Sequence, residues 1–244
     1  MRRHAVTSTG MEHELSQCGF AFVHAAMMRE SLERFGRLSD WEAFAASWDD
    51  LELDEYLAEG QRCRRRRFAV YTIDRGGSIE RQPHQPHYQG REYNVLFGGI
   101  ARWFAPVLPE PGSGPTMRAI LRCCDWLFRA RMPATADWHV EVHQFRIEAR
   151  HESPGQPTPE GIHRDGVDFV LVLLVSRDNI VSGTTTAYGS GGEPLGSFTL
   201  TDPLDAALVD DARCYHGVTP VEPENPGQLA YRDVLVVTFR KKAP

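Results

Sequence analysis

From Ala136 onward the chain breaks into short apolar or alternating segments, and this punctuation limits the fold more than any other feature. "WHVEVHQFRIEAR" alternates over a long span, and "VDFVLVLLV", "SGTTTAY", "GSFTL", "DAALVDD", "RCYHGVTPV" and "RDVLVVTFR" follow at short intervals between Gly, Pro, Asn and Asp. Alternation sends successive side chains to opposite faces of a strand. Several such strands bounded by turn residues specify a sandwich or jelly roll. The expected class is mainly β with α: a double-stranded β-helix (jelly-roll, cupin-like) core with N-terminal helices packed against it. One domain is expected over residues 1–244, with the jelly-roll core at 136–240 and a helical part at 1–135.

That helical part is read from weaker signals. Residues 1–10 are polar and expected to fray. Helical spacing from Glu14 to Phe35 is interrupted by the strand-like "GFAFVHA". Ser39 stands three residues before Glu42, a capping-box spacing, and one or two helices are expected from there into "EGQRCRR". The basic run from Arg62 to Arg67 is read as a solvated helix end, and "RFAVYTID" as a strand. Residues 76–112 are rich in Gly, Pro, His and aromatics, which suggests an ordered covering loop. "PTMRAILRCCDWLFRAR" has the spacing of an amphipathic helix, with Pro115 near its start.

Composition removes several function classes. The net charge of −6 offers no global basic field for nucleic acid or anionic membrane. No apolar run reaches the ~18 residues that cross a bilayer, and "MRRHAVTSTG" leads into no apolar core of a secretory signal. Cys18, Cys63, Cys123, Cys124 and Cys214 form no CxxC pair, so reduced thiols and a cytoplasmic location are expected. The only lysines are Lys241 and Lys242, which argues against a P-loop lysine or a Schiff-base lysine. Oligomeric state is not readable.

The chemistry concentrates in "GIHRDG". His163 and Asp165 are two apart in an extended segment just before an apolar strand, so their side chains share a face. An imidazole and a carboxylate aimed at one spot are either a hydrogen-bonded pair or two metal ligands. His216, 51 residues after Asp165 in "CYHGV", can complete a two-His, one-carboxylate set, the facial triad of non-haem iron(II). His84 and His87 lie in the Pro-rich loop with no carboxylate placed beside them. His139 and His143 share a strand face, and His151 sits in a polar turn. Arg232 opens the last strand 16 residues after His216. If the site holds 2-oxoglutarate, a guanidinium there can take its far carboxylate.

Together with "PHQPHYQGREYN…GGIARWF", "VEVHQFRI", "PEGIHRDGVDFVLVLLV", "YHGVTPV" and "YRDVLVVTF", this order resembles the bacterial Fe(II)/2-oxoglutarate-dependent dioxygenases that hydroxylate free amino acids, the L-isoleucine 4-hydroxylase-like group. The resemblance covers roughly residues 68–240. It implies Fe(II) on His163, Asp165 and His216, with 2-oxoglutarate on Arg232. It also implies O2 as co-reactant, ascorbate as a candidate stimulant, and a free amino acid or similar small molecule as substrate. A carboxylate at 165 favours hydroxylation over halogenation. Desaturation, cyclisation or sulfoxidation at the same iron, and a non-catalytic cupin-like sensor, are the alternatives. Arg146 is the expected cation for a substrate carboxylate. Tyr88, Gln85 and His87 are expected lid contacts, and Glu160 is an expected ammonium acceptor.

Overall fold

The structure is a computed structural model that describes residues 8–57, 64–94, 96 and 98–242. Helix α1 (Ser8–Cys18), strand β1 (Phe20–Val23) and helix α2 (Ala25–Glu33) open the chain, followed by α3 (Trp41–Ala46) and β2 (Glu52–Leu53). Strands β3 (Arg64–Ile73), β4 (Ile79–Arg81), β5 (His87–Tyr88) and β6 (Ala101–Arg102) precede helices α4 (Pro109–Ser113) and α5 (Pro115–Arg131). The β-rich part contains β7 (Trp138–Ala149), β8 (Phe169–Asp178), β9 (Ile180–Ser182), β10 (Thr184–Tyr188) and β11 (Pro194–Thr199). It ends with β12 (Ala206–Asp210), β13 (Tyr215–Val218), β14 (Val221–Pro223) and β15 (Ala230–Lys241).

The main sheet runs β1-β12-β8-β15-β7-β3-β2, with β4 added on β3, and its neighbouring strands are antiparallel. A smaller sheet, β11-β10-β13, and the pair β14-β9 complete the jelly roll. Period-two alternation divides the main sheet's side chains between two compartments. Trp138, Val140, Val142, Leu235 and Val237 pack on the helices together with Leu32, Trp48, Ile120 and Phe128. Val170 and Val172 face Ala187 and Phe198 of the smaller sheet. In α5 the buried Met117, Ile120, Leu121, Leu127 and Phe128 form the stripe that the helical spacing requires. Each such side chain, fully buried, contributes about 1.5–3 kcal/mol.

Three expectations about the N-terminal half are corrected. The core does not begin at residue 136, because β1 pairs with β12 and β3 pairs with β7 inside the main sheet. Pairing with strands so distant in sequence leaves no local mark. Ser39 caps nothing: Asp40 is the N-cap of α3, and its carboxylate accepts from Thr116 N at the start of α5. The basic run is not a solvated helix end. Arg64–Arg67 form the first turnless stretch of β3, with Arg64, Arg66 and Arg67 buried. Arg62 and Cys63 lie outside the described residues, as do the first seven residues, and Ser8–Gly10, expected to fray, begin α1.

The four described cysteines are free thiols. No helix among the described residues is long and apolar enough to cross a membrane.

Candidate metal centre and its pocket

His163 precedes β8 and meets β13 through a reciprocal backbone pair, His163 N to His216 O and His216 N to His163 O, each 2.9 Å. That single bridge brings together two imidazoles 53 residues apart, with ring centroids 4.5 Å from each other. Asp165 lies between them, its Oδ1 3.7 Å from His163 Nε2 and its Oδ2 3.7 Å from His216 Nε2. One donor atom from each residue falls within 4.8 Å of the others.

The backbone around Asp165 is held as tightly as the side chain. Asp211, buried just after β12, accepts from the N–H groups of Asp165, Gly166 and Val167 at 2.9, 2.8 and 3.1 Å. Gly166 has φ +80°, and a Cβ there would meet the Tyr93 ring at 2.4 Å. Only glycine turns the chain at that point without strain or collision. Gln89 also donates to the Asp165 carbonyl at 3.1 Å.

The electrostatics favour two different histidines. Burial pushes His216 down to about 4, so this imidazole is neutral. Burial also opposes a charge on His163, but the hydrogen bond and charge of Asp165, with Glu160 and the Gly161 carbonyl, raise it to about 9. Its Nδ1 donates to Gly161 O at 3.0 Å, which turns Nε2 toward Asp165. Burial works against ionising Asp165 too, and the two histidines outweigh it and lower its pKa.

Arg232 lies near the start of β15, on the strand face that also carries Val236 and Thr238. In the β15–β7 register Arg232 is opposite Ile147, Val236 opposite His143 and Thr238 opposite Glu141, and directly opposed residues share a face. Arg232 is 2% exposed, and its Nε and Nη2 have no hydrogen-bond partner. Burial, then the charge of Arg177, lowers it to about 10, so it remains a cation at neutral pH. Asp233 does not pair with it; the carboxylate at 233 points to the other face.

A cavity of about 280 Å³ opens beside Asp165. Arg64 and Arg66 of β3, Arg102 of β6, His139, Glu141 and His143 of β7, and Glu160 contribute to its walls. The alternate residues of the basic run separate by parity: Arg64 and Arg66 face the cavity, whereas Arg65 pairs with Glu148 outside it. Buried Asp54 holds Arg64 at 2.7 Å and stands 3.7 Å from Arg66.

The substrate contacts expected from sequence divide. Glu160, His87 and Tyr88 line the cavity. Glu160 Oε1 is 3.4 Å from His163 Nε2, and Tyr88 sits at the rim, 59% exposed. Arg146 is corrected. It lies one residue out of phase with the cavity-facing positions of β7, and it forms a two-pronged pair with Asp233 at 2.8 and 2.7 Å, with Asp49 at 2.9 Å. Gln85 is also outside the cavity, donating to its own Pro83 carbonyl. Sequence reasoning missed Glu141, although "HVEVH" places it midway between two histidines on one face. Arg66 is hidden in the basic run, whose charge is uniform and whose alternation shows only on a strand.

Residues 45–238 match the family model described as 2OG-Fe dioxygenase. The chain belongs to this family. The dioxygenase is 25% identical over 238 residues to the 3(1)-hydroxy-L-isoleucine 4-dioxygenase of Pantoea ananatis, covering 93% of this chain and 94% of that relative. Its fold matches the crystal structure of a bsmA homologue from Methylobium petroleophilum PM1 with a TM-score of 0.87 and 32% identity, over 99% of this chain and 97% of the other. The IDO structure from Bacillus thuringiensis superposes with a TM-score of 0.77 at 20% identity, covering 100% and 99%, a likeness of fold. The dioxygenase is therefore an enzyme rather than a sensor, and the family implies Fe(II), 2-oxoglutarate and O2. The residues present fit that set. Two imidazole nitrogens and a carboxylate converge as a ferrous site requires, and Arg232 keeps two buried donors unfilled, as a bound carboxylate requires.

Proposed function

We propose that this dioxygenase hydroxylates a C–H bond of a free amino acid or a similar small zwitterion. His163, Asp165 and His216 would hold the iron, and Arg232 the distal carboxylate of 2-oxoglutarate. Bound there, ferrous iron with 2-oxoglutarate supplies the means of activating O2, with succinate and CO2 as co-products.

The chain's own contribution is placement. Arg66 and Arg102, both buried in the cavity wall, offer guanidinium groups to a substrate carboxylate, the role expected of Arg146. Glu160, beside His163, offers an acceptor to the ammonium group. A zwitterion held at both ends presents its side chain to the metal side of the cavity in a restricted set of poses, and restricted pose is what selects one carbon. The observation that carries this reading is that both signs of charge line one cavity that also reaches Asp165. The activity of the Pantoea ananatis relative on a hydroxylated isoleucine supports it.

The test is a screen of amino acids with iron(II), 2-oxoglutarate and ascorbate, read as succinate and a +16 mass shift. Product is expected with the native protein and none with His163→Ala or Asp165→Ala, both folded by circular dichroism. Arg232→Gln should raise the KM for 2-oxoglutarate at least tenfold. An unchanged KM would remove Arg232 from the cosubstrate site.

A further inference from the structure

The cavity holds a second cluster that the iron chemistry does not use. His139, Glu141 and His143 alternate along β7 on the cavity face, and His87 comes in from β5. Glu141 Oε2 lies 2.8 Å from His87 Nδ1 and 3.6 Å from His143 Nε2, while Oε1 lies 3.2 Å from His139 Nε2. His87, Glu141 and His143 place a donor atom each within 4.8 Å of one another, a limit that the three residues of the metal centre also meet.

The hydrogen-bond directions separate the two clusters. Arg66 Nη2 is 2.6 Å from His143 Nδ1. A guanidinium only donates, so Nδ1 accepts and the ring proton sits on Nε2, pointed at Glu141. With its Nε2 carrying a proton and its Nδ1 lone pair taken by Arg66, His143 has no free lone pair to give a metal, and a guanidinium at this distance repels a cation. The cluster is built to hold one carboxylate.

That carboxylate is not saturated. Its two oxygens offer about four lone-pair positions. His87 takes one position at Oε2 and His139 one at Oε1 as hydrogen bonds, and His143 Nε2 stands off at 3.6 Å, which leaves at least one acceptor position, and the side chain keeps 12% exposure. An aliphatic group packed over it would strip its water and return nothing, whereas a hydroxyl, amide or ammonium donor would fill the place. The other groups near it reinforce this: Thr238 lies directly opposite Glu141 and Arg240 opposite His139, and among the described residues of the cavity wall only Val167 and Val236 are aliphatic.

We propose that Glu141, fenced by His87, His139 and His143, receives a hydrogen-bond donor on the distal part of the substrate's side chain, so that the preferred substrates are donor-bearing amino acids rather than plain aliphatic ones. This rests on the amino-acid reading above and narrows it.

Isosteric pairs test it: homoserine against norvaline, asparagine against leucine, and ornithine against norleucine, each followed by +16 product and coupled succinate. At least one donor-bearing member should exceed its aliphatic partner tenfold or more in kcat/KM. Glu141→Gln should bring that ratio down toward one through loss on the donor-bearing member alone. The native-protein comparison stands even if Glu141→Gln does not fold. Equal or better turnover of the aliphatic members would overturn the inference and leave the amino-acid reading intact. Absence of turnover for every amino acid, with 2-oxoglutarate still consumed, would sink both. Anaerobic titration should find one iron(II) per chain; a second equivalent that His87→Ala abolishes would show a metal site in place of the receptor.

Discussion

Asp165 illustrates how a ligand is aimed by groups that never touch a metal. Its carboxylate takes its direction from a backbone turn, and the turn is held by Asp211 through three N–H groups and by Gly166 at positive φ. Burial and the neighbouring Asp165 charge push Asp211 up to about 6, yet it is ionised at neutral pH and keeps all three bonds. Removing the acceptor leaves three donors without a partner, each costing about 1–3 kcal/mol when buried. Asp211→Ala should therefore lose about 3 kcal/mol in denaturant unfolding and weaken iron(II) binding at least tenfold. A variant with unchanged iron affinity would mean that the turn holds its shape without Asp211. The His-x-Asp pair itself was legible in the sequence because two residues apart in an extended segment is a local relation. Asp211, 46 residues from Asp165, was not.

Parity decides the roles within an element. Four consecutive arginines in β3 carry the same charge and would be equivalent on a solvated helix end. On a strand they alternate: Arg66 lies over the Phe104 ring at 3.5 Å and beside His143, while Arg65 pairs with Glu148 and is 43% exposed. Surface ion pairs contribute about 0–1 kcal/mol, whereas truncating a buried, bonded cation costs several times more. Arg65→Ala should accordingly leave substrate KM unchanged and stability within about 1 kcal/mol. Arg66→Met, which keeps the packing over Phe104, should raise substrate KM at least tenfold. Equal effects from the two substitutions would refute the strand-face assignment. Parity likewise relocates Arg146, whose odd spacing from Phe145 turns it away from the cavity and onto Asp233.

At the scale of the molecule, the two sheets enclose buried histidines that are neutral in the folded protein. Burial holds His143 down to about 3, with Arg66 and His87 adding to the effect and Glu141 opposing it. Burial also lowers His87 and brings His216 to about 4. In the unfolded chain each takes a proton near its ordinary pKa of about 6.5. Below that pH the unfolded state binds more protons at these three histidines than the native state, so the stability they contribute is complete above about 6.5 and falls as acid is added. His163, held up to about 9, loses its contribution only above about 6.5. One such histidine contributes a slope of about 1.4 kcal/mol per pH unit. The Tm of the metal-free protein should drop steadily from pH 7 to pH 5, and His143→Gln should flatten the slope. A Tm constant over that interval would contradict neutral burial. Amino-acid order alone determined the β-rich class, the helix of residues 115–131 and the His-x-Asp edge of the metal site, because periodicity and i, i+2 spacing act over neighbouring residues. Only the tertiary structure decided that Arg66, Arg102 and Glu141 share a cavity with Asp165, that Arg146 leaves it, and that β1 and β3 belong to the core sheet. Those outcomes depend on which distant strands hydrogen-bond and in what register, and a shift of one residue would have sent every side chain to the other face.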